Sequence, residues 1–222
     1  MSEQTIEIPE PPVRLTGDLT IPERPGGLVI FAHGSGSSRL STRNRQVAVT
    51  LNERGLATLL FDLLSPDEEA DRANVFDIGL LSRRLLAATR WVMKDPGCSR
   101  LPLGYFGAST GAAAALCAAA ELGDSVRAVV SRGGRPDMAG PCLGEVTAPT
   151  LLIVGGDDMA VLELNESAAE ALRCAHELSV VPGATHLFAE PGALDQVSGL
   201  AGDWFSDHLP RASTLPDSPS GS

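Results

Sequence analysis

The sequence predicts an α/β fold: a mostly parallel, twisted sheet with helices on both faces, an antiparallel hairpin at its N-terminal edge and no large cap domain. Short apolar runs recur at Leu28–Ala32, Ala57–Phe61, Leu103–Phe106, Val126–Ser131, Thr150–Val154 and Leu178–Val181. Segments with helical apolar spacing separate most of them, as parallel neighbours in one sheet require. The chain has 222 residues, 43% of them hydrophobic, which suits a single core, so one domain is expected over residues 1–209.

In chain order, Thr5–Ile8 and Val13–Ile21 alternate or run apolar between prolines and predict the edge hairpin. Leu28–Ala32 and Ala57–Phe61 are uninterrupted apolar runs, the pattern of strands buried on both faces. Between them Val47 and Leu51 keep a helical spacing that stops at Gly55, a residue suited to a left-handed cap. After the acidic stretch Pro66–Arg72, apolar Ile78, Leu81, Leu85, Ala88 and Val92 predict one long amphipathic helix over Val75–Met93. Further helices are expected at Gly111–Leu122, Leu164–Leu172 and Leu194–Phe205. The connection from Ser131 to Thr150 is too short for a lid domain, and residues 210–222 lack apolar periodicity and are expected to form a disordered tail.

A net charge of -11 argues against a nucleic-acid partner, because phosphate backbones are bound by clustered Lys and Arg in excess. Glu3, Glu7 and Glu10 stand where a secretory signal would be basic and then apolar, and no later run reaches membrane-spanning length. A cytoplasmic protein without a membrane partner is expected. Cys98, Cys117, Cys142 and Cys174 are widely spaced and contain no C-x-x-C pair, so reduced thiols and no metal site are expected.

The sharpest local signal is Gly107-Ala108-Ser109-Thr110-Gly111, a G-x-S-x-G sequence between an apolar strand and an Ala-rich helix. In that context a serine sits on a tight turn with its hydroxyl exposed above the sheet, and the following helix places partial positive charge beside it. Taken alone, the pentapeptide also suits an ordinary glycine-rich turn with a helix-capping serine. Serine needs a base, and the candidates are His33, His176, His186 and His208. Only His186 occupies a loop between a late strand and the terminal helix, where loop residues in such sheets converge. His33 reads as a structural histidine that holds its turn. The third member should follow the strand Leu151–Val154, where Asp157 and Asp158 are adjacent, and spacing alone does not choose between them. Oxyanion stabilisation needs two N–H donors: Thr110 supplies one, and Ser35, with Gly36 as the alternative, supplies the other. Arg132 and Arg135 also follow a strand and are candidates for binding an acidic or polar substrate group, or for bracing their loop.

His33–Arg39 (HGSGSSR), GASTG, Leu151–Asp158 (LLIVGGDD) and Pro182–Phe188 (PGATHLF) resemble the small dienelactone-hydrolase-like branch of the α/β-hydrolase superfamily over Leu28–Leu209. The resemblance implies an α/β-hydrolase fold and a Ser109, Asp158, His186 triad. The family's G-G-x-D pattern falls on Gly155, Gly156 and Asp158, leaving Asp157 at the variable position. Dienelactone hydrolases proper carry a nucleophilic cysteine where this chain has serine, which points to general ester hydrolysis. A small-molecule ester is therefore the expected partner, with no cofactor and no metal. A thioesterase or acyltransferase would use the same residues, and a non-catalytic binding protein could occupy the same fold.

Overall fold

The computed structural model describes residues 1–209; the expected tail over residues 210–222 lies outside the described residues. The hairpin β1 (Ser2–Glu10) and β2 (Val13–Ile21) pairs antiparallel, Ser2 opposite Ile21 and Glu10 opposite Val13. The strands that follow are β3 (Leu28–Ala32), β4 (Ala57–Phe61), β5 (Leu103–Ala108), β6 (Val126–Arg132), β7 (Thr150–Gly155) and β8 (His176–Val181). They form one sheet in the order β1-β2-β4-β3-β5-β6-β7-β8. β2 joins β4 antiparallel and every later pairing is parallel.

The helices are α1 (Thr42–Glu53), α2 (Pro66–Glu69), α3 (Arg72–Phe76), α4 (Ile78–Val92), α5 (Thr110–Leu122), α6 (Met159–Ala171) and α7 (Ala193–His208). Strand alternation divides the core between the two faces. Leu28, Ile30 and Ala32 of β3 pack with Leu81 and Leu85 of α4 and the alanines of α5. Val29 and Phe31 pack with Val47 and Leu51 of α1 and Val197, Ala201 and Phe205 of α7. The order of strands in the sheet puts β4 on one side of β3 and β5 on the other. Helices leaving β3 and β5 therefore cover opposite faces, and a crevice opens at the strands' carboxyl ends where ligands bind in such sheets.

Three expectations are corrected. The single helix over Val75–Met93 is two helices, because Asp77 leaves helical geometry (φ -77°, ψ 88°) and its Oδ1 accepts the Leu80 N–H at 2.9 Å, capping α4. Helix α6 begins at Met159, directly after Asp158, and not at Leu164. The four cysteines are not all reduced thiols: Cys117 and Cys142 form a disulfide, while Cys98 and Cys174 are free. Cys117 and Cys142 lie 25 residues apart in sequence, and they meet because α5 packs against a 3₁₀ segment at Pro136–Glu145. No helix among the described residues is long and apolar enough to cross a membrane.

Gly104 in β5 sits under α7, where an added Cβ would lie 2.7 Å from Phe205 Cε1. Since Phe205 is fully buried, Gly104→Val is expected to lower stability by about 1–3 kcal/mol through overpacking. Urea denaturation measures this, and an unchanged midpoint would show that α7 yields freely at that contact.

Candidate active site

The turn from β5 into α5 holds Ser109 at φ 51°, ψ -123°, a positive φ rare outside glycine. Three backbone hydrogen bonds pin it there. Its N–H donates to Arg132 O at 3.4 Å, and its carbonyl accepts from the N–H groups of Ala112 and Arg135, each at 3.1 Å. Glycine is needed around it for close approach. A Cβ on Gly34 would lie 2.8 Å from Ser109 Cβ, and one on Gly111 would strike the carbonyl oxygens of Ala32 and His33. The loop after β3 is thus pressed against the serine. Thr110 opens α5, at the end of the helix whose first N–H groups lack intrahelical acceptors.

The loop after β3 is locked from below by His33, which is 5% exposed. His33 Nε2 accepts the Leu63 N–H at 3.0 Å, and Nδ1–H donates to Gly34 O, also at 3.0 Å. Ser37 N–H adds a second bond to the same carbonyl at 3.2 Å. In a trans peptide the N–H points opposite to the C=O, so anchoring Gly34 O turns the Ser35 N–H the other way. Burial holds the His33 pKa below its ordinary value, against the opposing pulls of the Gly34 carbonyl, Asp62 and Glu69. Farther along the loop, Arg39 donates its N–H and Nη1 to the two carboxylate oxygens of Asp62, at 2.8 and 2.7 Å.

His186 and Asp158 meet across two interleaved loops. His186 Nδ1 donates to Asp158 Oδ2 at 2.7 Å, leaving Nε2 as the free nitrogen. The side chains are 39% and 16% exposed respectively. Gly155 permits this closeness, because a Cβ there would strike Ala184 O and lie 2.8 Å from Thr185 O. Asp157 is exposed and uses its backbone N–H to bind Ala184 O at 2.9 Å, so Asp158 is the carboxylate that reaches the imidazole. On the far side of the loop Glu190 accepts the Thr185 N–H at 3.1 Å and its hydroxyl at 2.6 Å.

Residues 132–135 join the two halves, bonding to Ser109 as described while a Cβ on Gly133 would lie 3.1 Å from His186 O. Among the described residues no hydrogen bond links Ser109 Oγ to His186; in ligand-free sites such bonds commonly tighten only with substrate. Ser35 and Thr110 line one small cavity together. The two arginines are placed differently from each other. Arg135 is engaged by Asp137 through two bonds of 2.8 Å. Arg132 is buried, with its guanidinium carbon 5.7 Å from the Phe188 ring centre and Nη2 donating to Asn44 Oδ1 at 3.3 Å. Burial first, and then Arg43, push its pKa down to about 10, which leaves it charged at neutral pH. Neither arginine lines the cavity beside Ser35 and Thr110.

Sequence reasoning missed the supporting residues Arg39, Asp62 and Glu190, whose partners become visible only once the loops are folded. Gly155 was legible as part of a pattern, though its reason, the closeness of Ala184, was not. No group of three or more His, Cys, Asp or Glu side chains that could hold a metal ion occurs among the described residues.

The model of the dienelactone hydrolase family matches residues 17–203. A dienelactone hydrolase from Anabaena variabilis is 53% identical with a TM-score of 0.91, over 94% of this chain and 98% of that one. The esterase domain of a Rhodothermus marinus protein shares the fold at 19% identity and TM-score 0.76, over 94% of this chain and all of that one (100%). Two Mycobacterium tuberculosis proteins, provisionally named phosphoribosyl transferases, are each 60% identical over 209 residues, 94% of this chain and 47% of theirs. The chain thus spans about half the length of the curated relatives it matches. With the matched region running from β2 into α7, the chain belongs to the dienelactone hydrolase family.

Proposed function

We propose that the chain hydrolyses carboxylic esters through Ser109, His186 and Asp158 with an acyl-enzyme intermediate. The observation that carries the reading is the 2.7 Å Asp158–His186 hydrogen bond, in loops packed on the segment that binds the strained Ser109 backbone. Ser109 Oγ bonds to the ester carbonyl carbon while its proton passes to His186 Nε2. The carbonyl electron pair moves onto oxygen, which the N–H groups of Thr110 and Ser35 receive. Collapse breaks the bond to the alkoxide, which takes the proton from His186. Water then repeats the sequence on the acyl-enzyme, releasing the acid and restoring Ser109. Asp158 holds the imidazole tautomer and stabilises the imidazolium formed in each step. The scheme calls on no metal or organic cofactor.

The names of the Mycobacterium tuberculosis proteins suggest a second reading, group transfer. This chain aligns with 47% of each of those proteins and matches the hydrolase family over most of that region. For the matched part, the reading proposed is ester hydrolysis. Ester hydrolysis without pyrophosphate release from phosphoribosyl pyrophosphate is the expected outcome. Pyrophosphate release that persists in Ser109→Ala would favour the transferase reading.

Ser109→Ala and His186→Gln are each expected to cut hydrolysis of p-nitrophenyl acetate by about 10⁴-fold or more, and Asp158→Asn by about 10⁴-fold through the wrong imidazole tautomer. Asp157→Asn should stay within about threefold of the parent, as an exposed residue outside the constellation. Equal losses at positions 157 and 158 would contradict the roles given to the two carboxylates.

His33 generates a pH prediction. Its protonation would set an Nε2–H against the Leu63 N–H, two donors facing each other. Because the folded pKa is lowered, the unfolded chain takes up the proton first. The contribution of His33 to stability is therefore complete above about pH 6.5 and is lost as pH falls from there toward the folded value. Urea unfolding between pH 7.5 and pH 5 should show a steeper loss for the parent than for His33→Gln. Parallel losses would show that another group governs the acid limb.

A further inference from the structure

Asn165 on α6 is fully buried, whereas Leu162 and Leu164 of the same helix stay half-buried. Packing alone would favour an apolar side chain in its place, since a buried amide is costly unless its polar atoms are paired. Its Nδ2 donates to Gly134 O at 3.0 Å and to Val161 O at 2.8 Å, while its Oδ1 accepts no hydrogen bond from the described residues. Two carbonyl neighbours fix which end of the amide carries the hydrogens, so what the side chain supplies is donation. We propose that Asn165 is a positioning residue for oxyanion stabilisation: through the 134–135 peptide it aims the Thr110 N–H at the developing negative charge. The inference rests on the ester-hydrolase reading and adds to it a residue from outside the loops that hold Ser109, His186 and Asp158.

Peptide geometry links these contacts. The Gly134 carbonyl and the Arg135 N–H belong to one planar unit and point in opposite directions. Asn165 holds the carbonyl end, and the N–H end donates to Ser109 O at 3.1 Å. Ser109 O in turn belongs to the peptide whose other end is the Thr110 N–H. Ala112, the second donor to Ser109 O, lies within α5 itself, so Arg135 is the donor that ties this peptide to the rest of the fold. Turning the 134–135 peptide would withdraw it. The dipoles also run head to tail from Asn165 Nδ2–H to the Thr110 N–H, and hydrogen bonds so aligned polarise one another. Gly134 is pressed onto α5, where an added Cβ would lie 2.6 Å from Ala112 Cβ. Asp158 caps the start of α6, and Asn165 follows about two turns later. One helix therefore supports both the carboxylate that holds His186 and the peptide that holds the oxyanion donor.

The test compares the parent with Asn165→Leu and Asn165→Ala on p-nitrophenyl acetate, and measures inhibition by an aryl trifluoromethyl ketone, whose adduct with Ser109 carries the oxyanion. Circular dichroism and thermal melting check that each variant is folded at the assay temperature. In both variants kcat is expected to fall about tenfold or more with KM within about threefold, and ketone affinity to fall in step with kcat. The pH midpoint of kcat/KM should not move, because His186 and Asp158 keep their contact. A second arm needs no variant: ketone binding to the parent should move the amide proton resonances of Thr110 and Arg135 and the side-chain NH2 of Asn165 downfield together. A kcat within about threefold of the parent in a folded variant, a rise in KM alone, or a shifted pH midpoint would overturn the inference and leave the hydrolase reading standing. So would Arg135 and Asn165 resonances that do not respond to the ketone. Absence of Ser109-dependent hydrolysis from every ester overturns both.

Discussion

Ser109 sits at φ 51°, ψ -123°, a conformation that costs a non-glycine residue about 1–3 kcal/mol. That cost is tolerable only because the surroundings leave the turn no alternative. The backbone of residues 132–135 bonds both to its N–H and to its carbonyl, and the helix that starts at Thr110 fixes the direction in which the chain must leave. Glycines at 34, 107 and 111 are then obligatory, since a side chain at any of them would collide with a neighbouring backbone or with Ser109 itself. The spacing of the G-x-S-x-G sequence thus records how closely β3, β5 and α5 approach one another.

Work is divided across the sheet on either side of that turn. On the β7–β8 side, two loops interlock through Gly155 and Ala184 so that a carboxylate and an imidazole meet at 2.7 Å. On the β3–β4 side, a buried neutral histidine and the Arg39–Asp62 pair fix a glycine-rich loop and the peptide that presents the Ser35 N–H. Burial of His33 and of Arg132 has opposite consequences. His33 finds a partner for each ring nitrogen and stays neutral. Arg132 stays charged with an amide oxygen and an aromatic face as its neighbours.

Much of the sheet was legible because strands buried on both faces must be short apolar runs, as LVIFA and ATLLF are. Boundaries were less so. The apolar period continues through Asp77, and only its side-chain cap reveals that the helix restarts there. The first turn of α6 carried no clear apolar period, since Met159 and Ala160 are exposed and Val161 and Leu162 only half-buried. The Cys117–Cys142 pair depends on α5 lying against the 3₁₀ segment, a tertiary contact with no local signal. Ser109 and His186 could be singled out because a strand-to-helix turn and a late loop have distinctive neighbours. The choice between Asp157 and Asp158 could not be made from spacing, since it depends on which carboxylate the Gly155 turn aims at the histidine.

Labelling of the folded protein with a fluorophosphonate, followed by peptide mapping, tests the central claim most directly. A phosphonylated Ser109 forms only where an activated serine, a base and oxyanion donors converge. One equivalent on Ser109, lost in urea and in His186→Gln, is the expected result. Folded protein that stays unlabelled, or that carries the adduct on another residue, would contradict the assignment of Ser109 as the nucleophile.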